Sequence, residues 1–168
     1  LEIIRANPDI QFIWQAGKIY IEQIREAITT ATGEPVRHPH VNAIPNLYVT
    51  DFIKDMANAY AAADLVISRA GAGSISEFCL LHKPVILVPS PNVAEDHQTK
   101  NALALVNKDA AIYVKDAEAR EKLLPTALAT IADAGKLKSL SENIARLALP
   151  DSAAVIAKEV LKLIDNKE

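Results

Sequence analysis

One cysteine, Cys79, stands in a chain of 168 residues. An internal disulfide is therefore excluded, and the thiol's neighbours Phe78, Leu80 and Leu81 predict a buried, inert side chain rather than a nucleophile. No apolar run approaches the ~20 residues that span a bilayer. The opening LEIIRANPD also lacks the charged and apolar regions of a secretory signal, so a cytoplasmic chain is expected. Basic charge is not in excess. The 18 Lys and Arg against 21 Asp and Glu give a net charge of −3, which argues against nucleic acid as a partner. Glycine is scarce, at five residues, and neither G-x-G-x-x-G nor a Walker loop occurs. There is no internal repeat and no low-complexity segment.

What is present is half apolar. That composition and length suit one soluble domain over 1–168 with a sizeable core. Short apolar runs rich in β-branched and aromatic residues, IQFIWQA (10–16), NLYV (46–49), DLVIS (64–68), PVILVP (84–89) and AAIYV (110–114), predict strands. Segments with helical spacing lie between them. They carry Ile19, Ile21, Ile24 and Ile28; Ile53, Met56, Ala57 and Tyr60; Ile75, Phe78, Cys79 and Leu81; and Ala102, Leu103 and Leu105. Continuous apolar strands alternating with helices predict an α/β fold, a doubly wound parallel sheet covered on both faces. Beyond residue 115 the pattern is purely helical, ending in a helix from Asp151 or Ser152 with a stripe of Ile156, Val160, Leu163 and Ile164. Glycine and proline are expected at element boundaries.

In an open parallel sheet, ligands bind beyond the carboxyl ends of the strands, which directs attention to the loops after residues 49, 68 and 89. The second of these reads ISRAGAGSISEF (67–78). Gly71 and Gly73 would let the backbone approach a ligand, and unpaired N–H groups around Ser74 to Ser76 would suit an anion such as phosphate; a plain tight turn explains the glycines equally well. Ser74 and Glu77 fit the S-x-x-E capping box, but a carboxylate at Glu77 could instead take both hydroxyls of a ribose. In the third loop Asn92, Glu95, Asp96, His97, Gln98 and Asn101 gather hydrogen-bonding groups at a helix start, as a hydroxyl-rich ligand would require. Asp96 and Glu95 also suit a solvated loop with Asp96 as N-cap. His38, His40 and His82 lack the spacing of metal ligands and read as surface or packing residues; no metal and no cofactor is expected.

Residues 46–114 resemble the donor-binding half of the MurG family. These bacterial transferases add N-acetylglucosamine from UDP-GlcNAc to a lipid-linked muramyl peptide, making lipid II for peptidoglycan. The features shared are the Phe52-Ile53 pair before a D-M-x-x-x-Y helix, the R-x-G-A-x-[ST]-x-x-E segment, the K-P-x-x-x-V-P strand and the H-Q-x-x-N-A helix start, in order. QAGK (15–18) extends the likeness more weakly. The resemblance implies a Rossmann-like domain, one of the two facing domains of an inverting GT-B glycosyltransferase. It implies that the Ile53 backbone, with Phe52 beside it, meets the uracil and that Glu77 binds the ribose hydroxyls. Gly71, Ala72, Gly73 and Ser74 would face the pyrophosphate with Arg69 nearby, while Gln98, His97 and Asn101 would read the sugar.

Family members also carry an amino-terminal domain that supplies the acceptor site, the membrane contact and the catalytic base, and they open this second domain with a strand and a G-G-S-x-G-A loop. Neither has a counterpart here, and LEII resembles the end of the helix that follows that loop. A fragment without catalytic residues of its own is therefore expected, working at the cytoplasmic face of the inner membrane only as part of the longer protein. In the strand order 3-2-1-4-5-6 the strand lacking a counterpart is central, so either the sheet closes up, or it borrows a strand, or the chain began as part of a longer protein, and the sequence does not decide among these. Two other readings are a self-contained UDP-GlcNAc-binding subunit of a two-chain transferase and half of a UDP-GlcNAc epimerase.

Overall fold

The computed structural model describes residues 1–36, 39–91 and 96–165. Asn92, Glu95 and His38, and the side chain of Ile164, lie outside the described residues. The chain divides into two compact units, Leu1–Ala62 and Ala63–Glu168. Both are α/β with parallel strands.

The first unit runs α1 (Glu2–Arg5), β1 (Phe12–Gln15), α2 (Ile21–Thr32), β2 (Leu47–Thr50) and α3 (Met56–Ala62). β1 and β2 pair in parallel, from Phe12 opposite Leu47 to Gln15 opposite Thr50. The crossover α2 buries Ile21 and Ile28 and stops at Gly33, whose φ of +75° favours a residue without a Cβ. Ile44, Leu47 and Val49 are fully buried with Ile28. Beside them the buried Asn46 donates its Nδ2 to three carbonyls, Ile4 and Asn7 at 3.0 Å and Ile10 at 2.9 Å. Asn46→Ala is therefore expected to destabilise the fold by about 1–3 kcal/mol, because buried carbonyls would lose their donor. Chemical denaturation would read the loss.

The second unit runs β3 (Val66–Ser68), α4 (Ala72–Leu80), β4 (Val85–Leu87), α5 (His97–Val106), β5 (Ile112–Tyr113), a 3-10 turn (Asp116–Glu118), α6 (Ala119–Ala132), α7 (Ala134–Ala145) and α8 (Ser152–Asp165). Its ladder is β3–β4–β5, all parallel. Ile86, Val88, Val114 and Ala127 form one core cluster, with Leu65, Ile112, Ala119 and Leu123 packed against it. α4 packs on α7, where Leu140 and Ile144 are buried.

Four expectations need correction. A single continuous sheet is not formed, because no ladder joins β1–β2 to β3–β4–β5 among the described residues. Burial on both faces holds throughout β4, but Ile13, Trp14 and Ile67 on β1 and β3 stay exposed. Pro125 lies inside α6 rather than at a boundary, removing one backbone donor from that helix. Gly73 and Gly135 likewise fall within helices.

α8 keeps Val155, Ile156, Val160, Leu161 and Leu163 exposed. Among the described residues no helix is long and apolar enough to cross a membrane.

Candidate functional site

Because β3, β4 and β5 are parallel, with Ser68 beside Leu87 and Leu87 beside Tyr113, the segments that leave them start on one edge. Arg69, Ala70 and Gly71 follow β3 there. α4 begins at Ala72 with Gly71 as its N-cap, and Ile75 N–H already closes the first turn on the Gly71 carbonyl at 3.0 Å. The capping box expected at Ser74 is not formed. Ser74 lies inside the first turn, Gly71 has no side chain to cap with, and the Ser76 hydroxyl bonds back to the Ala72 carbonyl at 3.0 Å. The unpaired N–H groups are consequently shifted from the expected 74–76 to Ala72, Gly73 and Ser74, which find no acceptor among the described residues.

The glycines here have no internal cause. Gly71 has φ −68°, open to any residue, and a Cβ on either Gly71 or Gly73 would meet nothing within 4 Å. The chain's own packing would accept alanine at both. The first turn of α4 presents a row of N–H donors and a partial positive charge.

α5 holds this turn in place. Gln98 and Asn101, one helical turn apart, grip Ala70 from both sides of its residue. Gln98 Oε1 accepts from Ala70 N–H at 3.2 Å and from Ser90 N–H at 2.9 Å, while Asn101 Nδ2 donates to the Ala70 carbonyl at 3.1 Å. Both partners of Gln98 are N–H donors, which fixes the orientation of its amide; its nitrogen makes no hydrogen bond among the described residues. The spacing of the H-Q-x-x-N start thus has a mechanical reason, in that it ties the loops after β3 and β4 together. Ala70 is fully buried beneath. His97 opens α5 as an exposed residue, and Asp96 takes the N-cap position without a capping hydrogen bond, at a left-handed φ of +55°.

Arg69 spans the same edge. Its Nη1 donates to the Val88 carbonyl at 3.1 Å, to the Pro89 carbonyl at 3.4 Å and to the Asp116 carboxylate. Glu77 stands exposed further along α4. In the first unit, Phe52 is exposed after β2, and Ile53 N–H donates to Gln15 Oε1 at 2.9 Å. The Phe52 N–H is taken by the Asp51 carboxylate at 2.8 Å.

Two residues escaped the reading of the sequence. Gln15 was visible only as part of QAGK, and Asp116 lies after β5, whose loop is not among the three that drew attention. Of the histidines expected to be surface or packing residues, His40 and His82 are described and both are exposed. His40 meets the Tyr48 ring edge-on at 5.1 Å between centroids, and the His82 carbonyl accepts from Ser141 at 2.8 Å. Cys79 is buried, and burial pushes its thiol up. Native Cys79 is therefore expected to resist iodoacetamide at pH 8 and to react once denaturant is added; rapid labelling of the folded chain would contradict its burial.

Comparison with known proteins gives this edge a context. Over residues 2–159 the chain matches the Glycosyltransferase family 28 C-terminal domain. It is 76% identical over 163 residues to a Bacteroides fragilis protein named UDP-N-acetylglucosamine--N-acetylmuramyl-(pentapeptide) pyrophosphoryl-undecaprenol N-acetylglucosamine transferase, covering 97% of this chain and 40% of that protein. A Porphyromonas gingivalis protein of the same name is 51% identical, with 97% of this chain and 40% of the relative covered. The chain thus spans about two fifths of the length of these relatives. The crystal structure of Acinetobacter baumannii MurG superposes with a TM-score of 0.72 at 26% identity, covering 95% of this chain and 46% of that one. With the family model matched over residues 2–159 and a parallel α/β architecture shared with that structure, the chain belongs to the glycosyltransferase family 28 C-terminal domain family.

Proposed function

We propose that the chain is the donor-binding half of an inverting N-acetylglucosaminyltransferase that takes UDP-GlcNAc and, in the longer protein, transfers the sugar to a lipid-linked muramyl peptide at the cytoplasmic face of the membrane. The single observation that carries this reading is the first turn of α4. Three N–H groups without acceptors among the described residues, beside glycines that none of those residues demands, suit a diphosphate approaching the backbone closely. Membership of the glycosyltransferase family supports it, as do the names of the relatives.

The chemistry follows from that placement. When the bond from the sugar's anomeric carbon to the phosphate oxygen breaks, negative charge grows on the departing UDP. Donors fixed in advance at a helix start stabilise that charge without having to reorganise. We assign the diphosphate to Ala72, Gly73 and Ser74 and the ribose to Glu77. His97 and the free amide nitrogen of Gln98 are assigned to the sugar. Gln98 and Asn101 also act on the diphosphate indirectly, by holding Ala70.

The test is calorimetric titration of UDP, UDP-GlcNAc and UDP-glucose against the chain. Binding of UDP and UDP-GlcNAc supports the reading, and failure of both to bind would overturn it. In the same assay Gln98→Ala is expected to weaken UDP by roughly tenfold, since two backbone N–H groups lose their shared acceptor, and UDP-GlcNAc by more, since the sugar also loses its contact with the amide nitrogen. A loss confined to UDP-GlcNAc would make Gln98 a sugar contact only.

A further inference from the structure

We propose that Asp116 is a positioning residue for the donor diphosphate, acting through Arg69. This rests on the donor-site reading above and extends it to a residue beyond the motif that carries that reading.

Arg69 sits two residues before the N-cap of α4, and its side chain is 55% exposed, so its guanidinium stands at the rim of the strand edge. All of its hydrogen bonds fall on one nitrogen. Nη1 takes the carbonyls of Val88 and Pro89 and the Asp116 carboxylate, whereas Nε and Nη2 make none among the described residues. The Nε and Nη2 side of the fork is the pair of parallel donors that takes an oxyanion in bidentate fashion.

An exposed arginine has many rotamers, and holding it in one costs entropy unless something restrains it. Two neutral carbonyls, one of them at 3.4 Å, are weak restraints. The charged carboxylate of Asp116 is the strong one, and it is held by the 3-10 turn that follows β5, the third strand of the same ladder. Asp116 therefore fixes one side of the guanidinium and leaves the other presented to an anion at the start of α4.

The sign of the effect separates this from simple charge. Removing a carboxylate near a diphosphate site should tighten binding if Coulomb repulsion were its only role. Positioning requires the opposite. We would measure the affinity of the chain for UDP by calorimetry and for uridine, which lacks the diphosphate, by NMR shift titration. The variants are Asp116→Ala, Asp116→Asn, Asp116→Glu, Arg69→Ala and the Arg69→Ala/Asp116→Ala pair.

Asp116→Ala is expected to weaken UDP about tenfold while leaving uridine unchanged, with most of the loss restored in Asp116→Glu and little further loss once Arg69 is alanine. Melting temperatures are read alongside; should Asp116→Ala unfold, the near-isosteric Asp116→Asn carries the same test with a smaller loss. Unchanged or tighter UDP binding, or equal losses for UDP and uridine, would overturn the proposal while leaving the donor site standing. If the unaltered chain binds no UDP, the donor-site reading falls and the role of Asp116 falls with it.

Discussion

Gly73→Asp is expected to abolish measurable UDP binding while leaving the melting temperature of the chain unchanged or raised. The two effects have opposite signs because they act through the same partial charge. α4 has no acidic residue in its first turn, so a carboxylate at its second position would complement the helix dipole by about 0.3–1 kcal/mol, and replacing glycine within a helix adds a few tenths more. Nothing obstructs the new side chain, since a Cβ at Gly73 meets no atom within 4 Å. For a diphosphate the same carboxylate is a like charge at contact distance, worth on the order of 3–4 kcal/mol near a protein surface, a hundredfold or more in affinity. Calorimetry and a thermal melt on one sample read both. Parallel loss of binding and stability would mean that Gly73 serves the fold, and retained binding would move the diphosphate elsewhere.

Glu77→Ala is expected to weaken UDP and UDP-GlcNAc equally, by roughly ten- to hundredfold, the worth of a charge-assisted hydrogen bond to a ribose hydroxyl. With the helix starting at Ala72 and no capping box at Ser74, the carboxylate stands beyond the first turn, where capping gives it no role. The sharper readout is discrimination against 2′-deoxy-UDP. The unaltered chain should bind the deoxy nucleotide less tightly than UDP, and the variant should no longer tell them apart. A variant that keeps its preference for UDP would remove Glu77 from the ribose.

The elements were legible for a simple physical reason. Strands in parallel ladders tend to be apolar along their length, and the five runs picked out by that rule are the five strands, four of them trimmed to the residues that have ladder partners and the second displaced by one residue to Leu47–Thr50. Helix positions were likewise readable from their apolar spacing. The start of α4 was not. S-x-x-E at 74–77 is a valid local signature, but the chain leaving β3 turns at Gly71, and the Ile75 to Gly71 hydrogen bond sets the N-cap three residues before the one that the signature implies. The turn is fixed from far away, by Gln98 and Asn101 on Ala70, at separations of 28 and 31 residues. Arg69 with Asp116 spans 47 residues, and Ile53 with Gln15 spans 38. No periodicity records such pairs. Gln98 and Asn101 were picked out by the polar cluster at the helix start and by the family resemblance, and their structural task became visible only with their partners.

The central claim, that the first turn of α4 receives the diphosphate, is tested most directly by following the amide resonances of the chain as UDP is added. The N–H groups of Ala72, Gly73 and Ser74 should show the largest shifts, moving downfield as they gain an oxyanion acceptor, and inorganic pyrophosphate should move the same three. Saturable UDP binding that leaves those three resonances in place while shifting others would contradict it.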